Sequence, residues 1–275
     1  MSERLPFTFA IPLVGRAAAA DFARVEALLG LTLASIRAQT DPDFQVQIMG
    51  HDRPRTLPDD PRVSFIEAGW PPRAPDAANN DSGCKKYALG EAALKRGEGL
   101  LMHVDADDWV SPGLVAAARA QIGPDVVGGV IPAGEILDFA TGRVAPLPFP
   151  GFFEKPFYAL CGSSVVARLR PGDPDPLRRN PLAVLRDHHV WPREAAERGA
   201  RAAVLDAPGA YLVGTAENHS ERHGPFAGWR AELVAALRRR GRDVADADLA
   251  RYGLDRTRLR GAGGLRGAHE KAAGP

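Results

Sequence analysis

Three carboxylates stand within four residues in the segment Asp105-Ala106-Asp107-Asp108, directly after the apolar run 99–104. Carboxylates this close repel one another unless a cation or hydrogen-bond donors offset their charge. A hard divalent ion such as Mg²⁺ or Mn²⁺ that carries a diphosphate would do so, because these ions prefer few carboxylates together with phosphate oxygens and water. The alternative is that Asp107 and Asp108 only lie in a solvent-exposed loop ahead of a helix at Pro112.

Four other polar segments carry side chains that could bind a ligand or move a proton. Each also has a plain structural interpretation: a turn after a strand, a solvated lysine pair, a helix start favoured by the helix dipole, and unligated loop histidines. Adjacent histidines on a helix rarely bind one ion, so we expect His188 and His189 to be structural or to face an acceptor. The segments are Gly50-His51-Asp52, Lys85-Lys86, Arg186-Asp187-His188-His189, and the polar run from Glu217 to His223.

The first half of the chain alternates between strand and helix patterns. Apolar and β-branched runs predict strands at 7–14, 44–49, 63–66 and 99–104, and residues 25–36 carry apolar side chains at helical spacing. A second helix is predicted at about 84–96, and Ser111 before Pro112 predicts a capped third one. This alternation predicts an α/β fold with a mostly parallel sheet covered on both faces. Ligands bind at the carboxyl ends of such strands, where Asp52 and the 105–108 segment both lie.

The second half of the chain has a different pattern. Residues 136–144 resemble a hairpin with a Gly turn, and short strands are predicted at 163–169, 202–206 and 210–213. Helices are predicted at 187–198 and 226–240. The Gly- and Ala-rich residues 261–275 predict a disordered tail. No obvious linker divides the chain, so we expect one domain over residues 1–260.

Composition excludes several functional classes. The 275 residues include 35 Lys and Arg against 34 Asp and Glu, a formal charge of +1 that gives no general attraction to nucleic acid or anionic membranes. No apolar run approaches the roughly 20 residues that an integral membrane helix needs. The apolar run 7–14 is expected to be a strand rather than a secretory signal. Two cysteines are too few for a disulfide framework, and these features predict a cytoplasmic protein.

Several of these segments resemble the family 2 glycosyltransferases. The similar parts are residues 7–13, the helix that ends at 35–40, the strand 44–49 followed by Asp52, and then Lys85-Lys86 through Gly97. The run Leu101-Met102-His103-Val104-Asp105-Ala106-Asp107-Asp108-Trp109-Val110-Ser111-Pro112 is similar to that family's strand and Asp-x-Asp motif. The resemblance covers roughly residues 7–215 and is strongest over 30–118.

The resemblance implies a GT-A fold and transfer of a sugar from a nucleotide-sugar donor to a hydroxyl of a glycan or small-molecule acceptor. It divides the domain into a donor half, about 1–118, and an acceptor half, about 119–260, with the hairpin and the C-terminal helices. It also implies a Mn²⁺ or Mg²⁺ cofactor and an inverting reaction. The implied roles are contact with the base for Asp52, with the ribose for Asp105 and with the diphosphate for Lys86, metal binding for Asp107 and His219 (His223 second), and general base for Asp187.

The chain departs from the family at two of these positions. Gly50-His51-Asp52-Arg53-Pro54 stands where the family usually has an Asp-Asp-Gly-Ser-like run, which leaves the nucleotide open. Arg186 replaces the first acid of the motif that Asp187 would complete. Two alternatives therefore remain: a non-catalytic nucleotide-sugar or glycan-binding GT-A relic, and a phosphotransferase of the haloacid-dehalogenase type. The latter needs Gly-Thr after the second Asp and near the first strand, whereas Asp108-Trp109 follows the fourth.

Overall fold

The computed structural model describes residues 4–74, 80–174 and 188–265. Asp187, the expected general base, and residues 266–275 of the expected tail lie outside these ranges. The strands are β1 (Phe7–Pro12), β2 (Gln45–Gly50), β3 (Val63–Glu67), β4 (Gly99–His103), β5 (Trp109–Val110), β6 (Val126–Val130), β7 (Gly134–Asp138), β8 (Arg143–Leu147), β9 (Val165–Leu169), β10 (Arg201–Val204), β11 (Gly209–Val213) and β12 (Arg242–Asp243). The α-helices are α1 (Phe22–Arg37), α2 (Asn80–Leu94), α3 (Leu114–Gln121), α4 (Trp191–Glu197), α5 (His219–Arg222), α6 (Ala227–Arg240), α7 (Asp246–Ala250) and α8 (Arg256–Gly261).

A seven-stranded, mostly parallel sheet forms the centre of the molecule, in the order β10-β6-β9-β4-β1-β2-β3. The pairs β1–β2, β1–β4, β2–β3 and β6–β10 are parallel, and β9 is antiparallel to both β4 and β6. The four strands predicted in the first half are thus confirmed as neighbours in one sheet. Because β1 and β4 lie side by side and run in the same direction, their carboxyl ends open on the same edge.

Helices cover both faces of the large sheet, as the sequence pattern predicts. Successive side chains of a strand point to opposite faces, and the residues of β1 show this alternation. Phe9 and Ile11 pack in one buried cluster with Leu29 of α1. Ala10 packs in a second cluster with Leu89 of α2. The fold is therefore α/β with a large, mostly parallel mixed sheet flanked by helices.

A smaller sheet, in the order β12-β8-β7-β11-β5, packs against α1 from the other side. It contains the predicted hairpin, since β7 and β8 are antiparallel neighbours. Leu28 and Leu31 of α1 pack with Leu212 of β11, while Leu29 and Leu33 pack towards the large sheet. The helix was expected to bury one face, but a sheet lies on each side of it.

The predicted start of the third helix is wrong. Helix α3 begins at Leu114 after Gly113, and no side chain caps it. Trp109 and Val110 form β5 by pairing with β11, and a turn over Pro112 and Gly113, closed by a hydrogen bond from the Leu114 amide to the Ser111 carbonyl, precedes the helix. The carbonyl of Ser111 accepts a 2.7 Å hydrogen bond from Gln39 Nε2, which fixes this segment against the end of α1.

Among the described residues, we find no helix with the length and apolar character needed to cross a membrane.

Candidate functional site

A cleft opens at the carboxyl ends of β1 and β4. Its polar lining comes from the loop after β1, the start of α2, the acidic segment after β4, and α5 with the residues before it, and α1 and residues 73–74 also contribute. Lys86, Asp105, Asp107 and His219 are predicted site residues that come together in its lining. The strand order explains this arrangement, because the acidic segment follows β4, the parallel neighbour of β1, and Asp105 in that segment contacts Lys86 of α2.

Lys86 and Asp105 form an ion pair at the wall of the cleft, with Lys86 Nζ 3.0 Å from Asp105 Oδ1. Burial alone lowers the pKa of Lys86, but the charge of Asp105 outweighs it and raises that pKa above its ordinary value. Burial raises the pKa of Asp105, but the charge of Lys86 lowers it below its ordinary value. Both groups are therefore charged at neutral pH, and both remain partly exposed to a ligand, by 26% and 38%.

Lys85 has a structural role, although it stands next to Lys86 in the sequence. Its side chain is 1% exposed, donates a 2.8 Å hydrogen bond to the Leu13 carbonyl and pairs with the carboxylate of Asp81. The other oxygen of Asp81 lies 3.1 Å from His51 Nε2 and 3.1 Å from Trp70 Nε1. This cluster ties the segments after β1, β2 and β3 to α2, and so fixes the helix that carries Lys86.

Asp108 is an internal anchor, and the alternative that places it in a solvent-exposed loop is wrong. Its fully buried carboxylate accepts hydrogen bonds from Ser163 Oγ at 2.7 Å, Cys161 Sγ at 3.3 Å and the Leu212 amide at 3.2 Å. Burial and the charge of Asp105 raise the pKa of Asp108 to about 7, against the effect of these donors. The acidic segment is thus fixed to the start of β9 and to β11.

Ser163 connects the anchor to the ion pair, because its Oγ also accepts a 2.8 Å hydrogen bond from the Asp105 amide. Gly162 beside it leaves space where three side chains meet. A Cβ atom there would lie 3.3 Å from Asp105 Oδ2, 3.8 Å from His188 Cδ2 and 3.9 Å from Lys86 Nζ. Neither residue stands in a motif that the sequence shows. The signal in the sequence is a run of small residues, Gly162-Ser163-Ser164, at the start of the predicted strand 163–169.

Asp107 faces like charges inside the cleft. Burial raises its pKa well above the ordinary value, and the charges of Asp108, Asp105 and Glu221 raise it further. A divalent cation would offset this accumulation. Among the described ranges, no group of three or more His, Cys, Asp and Glu side chains forms a ready-made metal site. The fit is therefore to an ion that takes one or two protein ligands and completes its shell with phosphate oxygens and water.

His219 lines the cleft from the short helix α5. Its ring centre is 5.0 Å from that of His223, which also lines the cleft. The structure thus places both candidate histidines in the same cleft as Asp107. Which of them would reach a metal ion stays a prediction.

Asp52 lines a neighbouring cavity with His51, Glu67 and Trp70 rather than the cleft that contains Asp105. Asp52 Oδ2 accepts a 2.7 Å hydrogen bond from the Arg16 amide, which fixes the loop after β1. The structural interpretation as part of a loop contact therefore has direct support, and the base contact stays a prediction. The two cavities share an edge of the sheet, since both lie beyond the carboxyl ends of its parallel strands.

His188 lies beside the ion pair and also contacts the Tyr158 carbonyl through Nδ1. Burial lowers the pKa of His188, and the nearby charge of Lys86 adds to this effect, despite the opposing hydrogen bond to Tyr158. A neutral imidazole is therefore favoured there. Because the Tyr158 carbonyl can only accept, Nδ1 carries the proton of the neutral ring and Nε2 can only accept a hydrogen bond; the structural or acceptor-facing role stays a prediction.

Comparisons with known proteins give only distant likenesses. No protein-family model matches the chain, and no curated protein matches it significantly. One similar solved structure, from Desulfovibrio desulfuricans G20, is provisionally assigned as a nucleotide-diphospho-sugar transferase. That match has 12% sequence identity and a TM-score of 0.37, and it covers 86% of this chain and 99% of that one. Another is the inositol-1-phosphate CTP transferase from T. maritima, with 10% identity, 88% and 100% coverage and a TM-score of 0.39. Likenesses this distant carry no functional assignment, which has to come from the residues of the cleft.

Proposed function

We propose that this protein is a metal-dependent glycosyltransferase of GT-A type that transfers a sugar from a nucleotide-sugar donor to an acceptor hydroxyl. The observation that carries the proposal is the convergence of Lys86, Asp105 and Asp107 in one cleft at the carboxyl ends of β1 and β4. The site thus combines the ammonium group of Lys86 with two carboxylates, one of lowered pKa at Asp105 and one of raised pKa at Asp107. A ligand that combines hydroxyl groups, a diphosphate and a metal ion matches that set.

The donor would bind along the edge of the sheet. The ammonium group of Lys86 would contact the diphosphate, and the ionised carboxylate of Asp105 would accept hydrogen bonds from the ribose hydroxyls. Asp52, in the adjoining cavity, would contact the base. Lys86 and Asp105 already pair with each other, so each is held in place before the ligand arrives.

Asp107 and His219 would hold a Mn²⁺ or Mg²⁺ ion. The ion would offset the charge that develops on the departing nucleoside diphosphate. Asp107 is suited to this role because burial and three neighbouring carboxylates make its ionisation unfavourable without a counter-charge.

Asp187 would take the proton from the acceptor hydroxyl as its oxygen attacks the anomeric carbon of the sugar. The bond from that carbon to the diphosphate oxygen breaks in the same displacement, so the configuration at the anomeric carbon inverts. A glycan or a small molecule would serve as acceptor. His188, next in sequence to Asp187, lies beside Asp105 and Lys86, so this part of the chain borders the donor side of the cleft.

Calorimetry with a panel of nucleoside diphosphates tests the proposal. We expect one nucleotide to bind with Mn²⁺ and to lose at least about tenfold in affinity when a chelator removes the ion. Equal binding with and without chelator would exclude the metal role. Incubation of the matching nucleotide-sugar with Mn²⁺ then separates an enzyme from a non-catalytic binder, because only the enzyme releases nucleoside diphosphate over time.

A further inference from the structure

Glu217 joins two segments that lie almost 200 residues apart in the chain. Its Oε2 atom accepts a 3.0 Å hydrogen bond from the Ala20 amide, and its Oε1 atom accepts a 2.8 Å hydrogen bond from the Asp21 amide. The side chain is 5% exposed, and Arg222 Nη1 lies 3.5 Å from Oε2. Two backbone amides that donate charge-assisted hydrogen bonds to one buried carboxylate form a strong and directional contact.

Both joined segments are walls of the candidate donor cleft. The loop between β1 and α1 contributes Ala18, and the segment around Glu217 contributes Asn218 and His219. Asp21 also caps α1, because its Oδ1 atom accepts a 3.0 Å hydrogen bond from the Ala23 amide. Glu217 therefore ties the α5 segment to the rigid start of α1.

The backbone before Glu217 adopts a turn that few residues tolerate. Ala216 has a φ of 67°, in the left-handed region, which is unfavourable for a residue with a Cβ. Thr215 Oγ1 supports the turn by accepting hydrogen bonds from the Glu217 amide at 3.2 Å and the Asn218 amide at 3.0 Å. Such strain persists only where the surrounding contacts compensate for it. Here the compensation includes the contact between Glu217 and the start of α1.

We propose that Glu217 is a positioning residue that sets the separation of the two cleft walls, by holding the α5 segment against the start of α1. This inference builds on the proposed function, because the cleft it shapes is the proposed donor site. Glu217 also lines the cleft, but both of its carboxylate oxygens already accept hydrogen bonds from backbone amides, so its role is to position the walls. Loss of the contact frees both walls, and His219 in the cleft lining then loses its fixed place.

The test compares Glu217→Gln with Glu135→Gln as a matched control. Glutamine keeps the size of the side chain but presents an NH₂ group where one backbone amide needs an acceptor. Glu135 is similarly buried and accepts hydrogen bonds from Arg251 and Tyr252, outside the cleft lining. Both variants should lower the melting temperature. Only Glu217→Gln should weaken nucleoside diphosphate binding with Mn²⁺, by about tenfold.

Hydrogen exchange on the protein without ligand gives a second readout. In Glu217→Gln, the amides of Ala20 and Asp21 should exchange at least about tenfold faster, together with those of the α5 segment. Unchanged exchange at both places, or unchanged affinity for the diphosphate with faster exchange, would overturn the positioning role. If the wild-type protein itself binds no nucleoside diphosphate, the proposed function fails, and the exchange measurement alone decides whether Glu217 holds the walls together.

Discussion

The three carboxylates of the acidic segment have three different surroundings, and these set what each can do. Asp105 is paired with Lys86 at 3.0 Å and stays ionised. Asp108 is fully buried and held by hydrogen-bond donors. Asp107 faces its neighbours' negative charge. The proposed division into ligand contact, anchor and metal ligand rests on these surroundings, which include partners distant in the sequence such as Lys86 and Ser163.

The adjacent residues Lys85 and Lys86 give a paired prediction. Lys86→Met should weaken nucleoside diphosphate binding by about tenfold or more with little loss of stability, because its side chain is partly exposed at the cleft wall. Lys85→Met should destabilise the fold by about 3 kcal/mol, since it leaves the carboxylate of Asp81 without its buried partner. Thermal melting and calorimetry on both variants check this. Equal effects of the two substitutions on binding would contradict the assignment.

Asp187 gives a prediction about catalysis rather than binding. If it is the general base, Asp187→Ala should lower the turnover rate by roughly 10²- to 10⁴-fold and leave the affinity for metal and donor unchanged. Product stereochemistry, measured by NMR on the wild-type enzyme, should show inversion. Loss of donor binding in the variant would instead move Asp187 to the donor site, and retained configuration would reject the single displacement.

Among the structural elements, β11 and the turn before β9 hold the acidic segment through Asp108. Ser163 makes two of the contacts involved, since its Oγ donates to Asp108 and accepts from the Asp105 amide. Ser164, the next residue, is equally buried, but among its described contacts its hydroxyl donates only to the Cys161 carbonyl. Two neighbouring serines in one turn thus differ in whether they reach the site.

This difference predicts different results for Ser163→Ala and Ser164→Ala. Each should cost about 1–3 kcal/mol of stability, the usual effect of leaving a buried polar partner unsatisfied. Only Ser163→Ala should also weaken metal-dependent nucleotide binding, because it releases the segment that carries Asp105 and Asp107. Urea unfolding and calorimetry measure the two quantities. A binding defect of the same size in both variants would show that general destabilisation is the cause.

The sequence predicted the elements that have regular apolar periodicity, and it predicted the place of the acidic segment after β4. Among the elements it missed are α5, β12, α7 and α8, and also β5 and β6. Strand β5 has two residues and pairs with β11, about 100 residues away. Strand β6 contains Gly128 and Gly129, which break the strand pattern; Gly129 is needed because a Cβ there would lie 2.7 Å from Leu205 Cγ. Local patterns cannot reveal such long-range requirements.

The same limit applies to the site. Lys86, Asp105 and Asp107 stand in motifs that the sequence shows directly, whereas Ser163 and Glu217 act through partners 55 to 197 residues away. For Asp52, the sequence shows only that it follows a strand. Its hydrogen bond with the Arg16 amide joins residues 36 positions apart and could not be predicted from that position. Motifs therefore indicate the ligand-facing groups, and only the fold identifies the residues that hold them.

At the scale of the whole molecule, acidic residues near the two opposite ends of the parallel strands differ in their electrostatic surroundings. Asp41 and Asp60 lie before the amino ends of β2 and β3. Burial raises the pKa of Asp41, but hydrogen bonds from Arg119 and Arg4 outweigh it and lower that pKa. The hydrogen bonds from Arg62 hold the pKa of Asp60 well below its ordinary value. At the cleft edge, burial and like charges raise the pKa of Asp107 instead. Arginine side chains thus compensate the charges of Asp41 and Asp60, whereas the charges that shift the pKa of Asp107 are those of other carboxylates.

This arrangement predicts how the stability of the metal-free protein depends on pH. A carboxyl group with a lowered folded pKa contributes stability above its unfolded value, near 4, and that contribution is lost as the pH falls through the folded value. A carboxyl group with a raised folded pKa does the reverse, so the cleft loses stability as the pH rises above about 4 and the unfolded chain ionises first. Burial lowers the pKa of His103 and of His188, which adds stability as the pH rises to about 6.5, so the contribution of Asp107 is measured as the difference between the wild type and the Asp107 variant. Asp41→Asn should make the loss of stability at low pH shallower, and Asp107→Asn should reduce the loss of stability towards pH 7.

Addition of Mn²⁺ with the nucleoside diphosphate should also reverse that decline in the wild type but not in Asp107→Asn. Differential scanning calorimetry from pH 3 to 8 measures these profiles. A decline of equal steepness in wild type and Asp107→Asn would show that the charge at position 107 is already compensated, and would remove the reason to place a cation beside it.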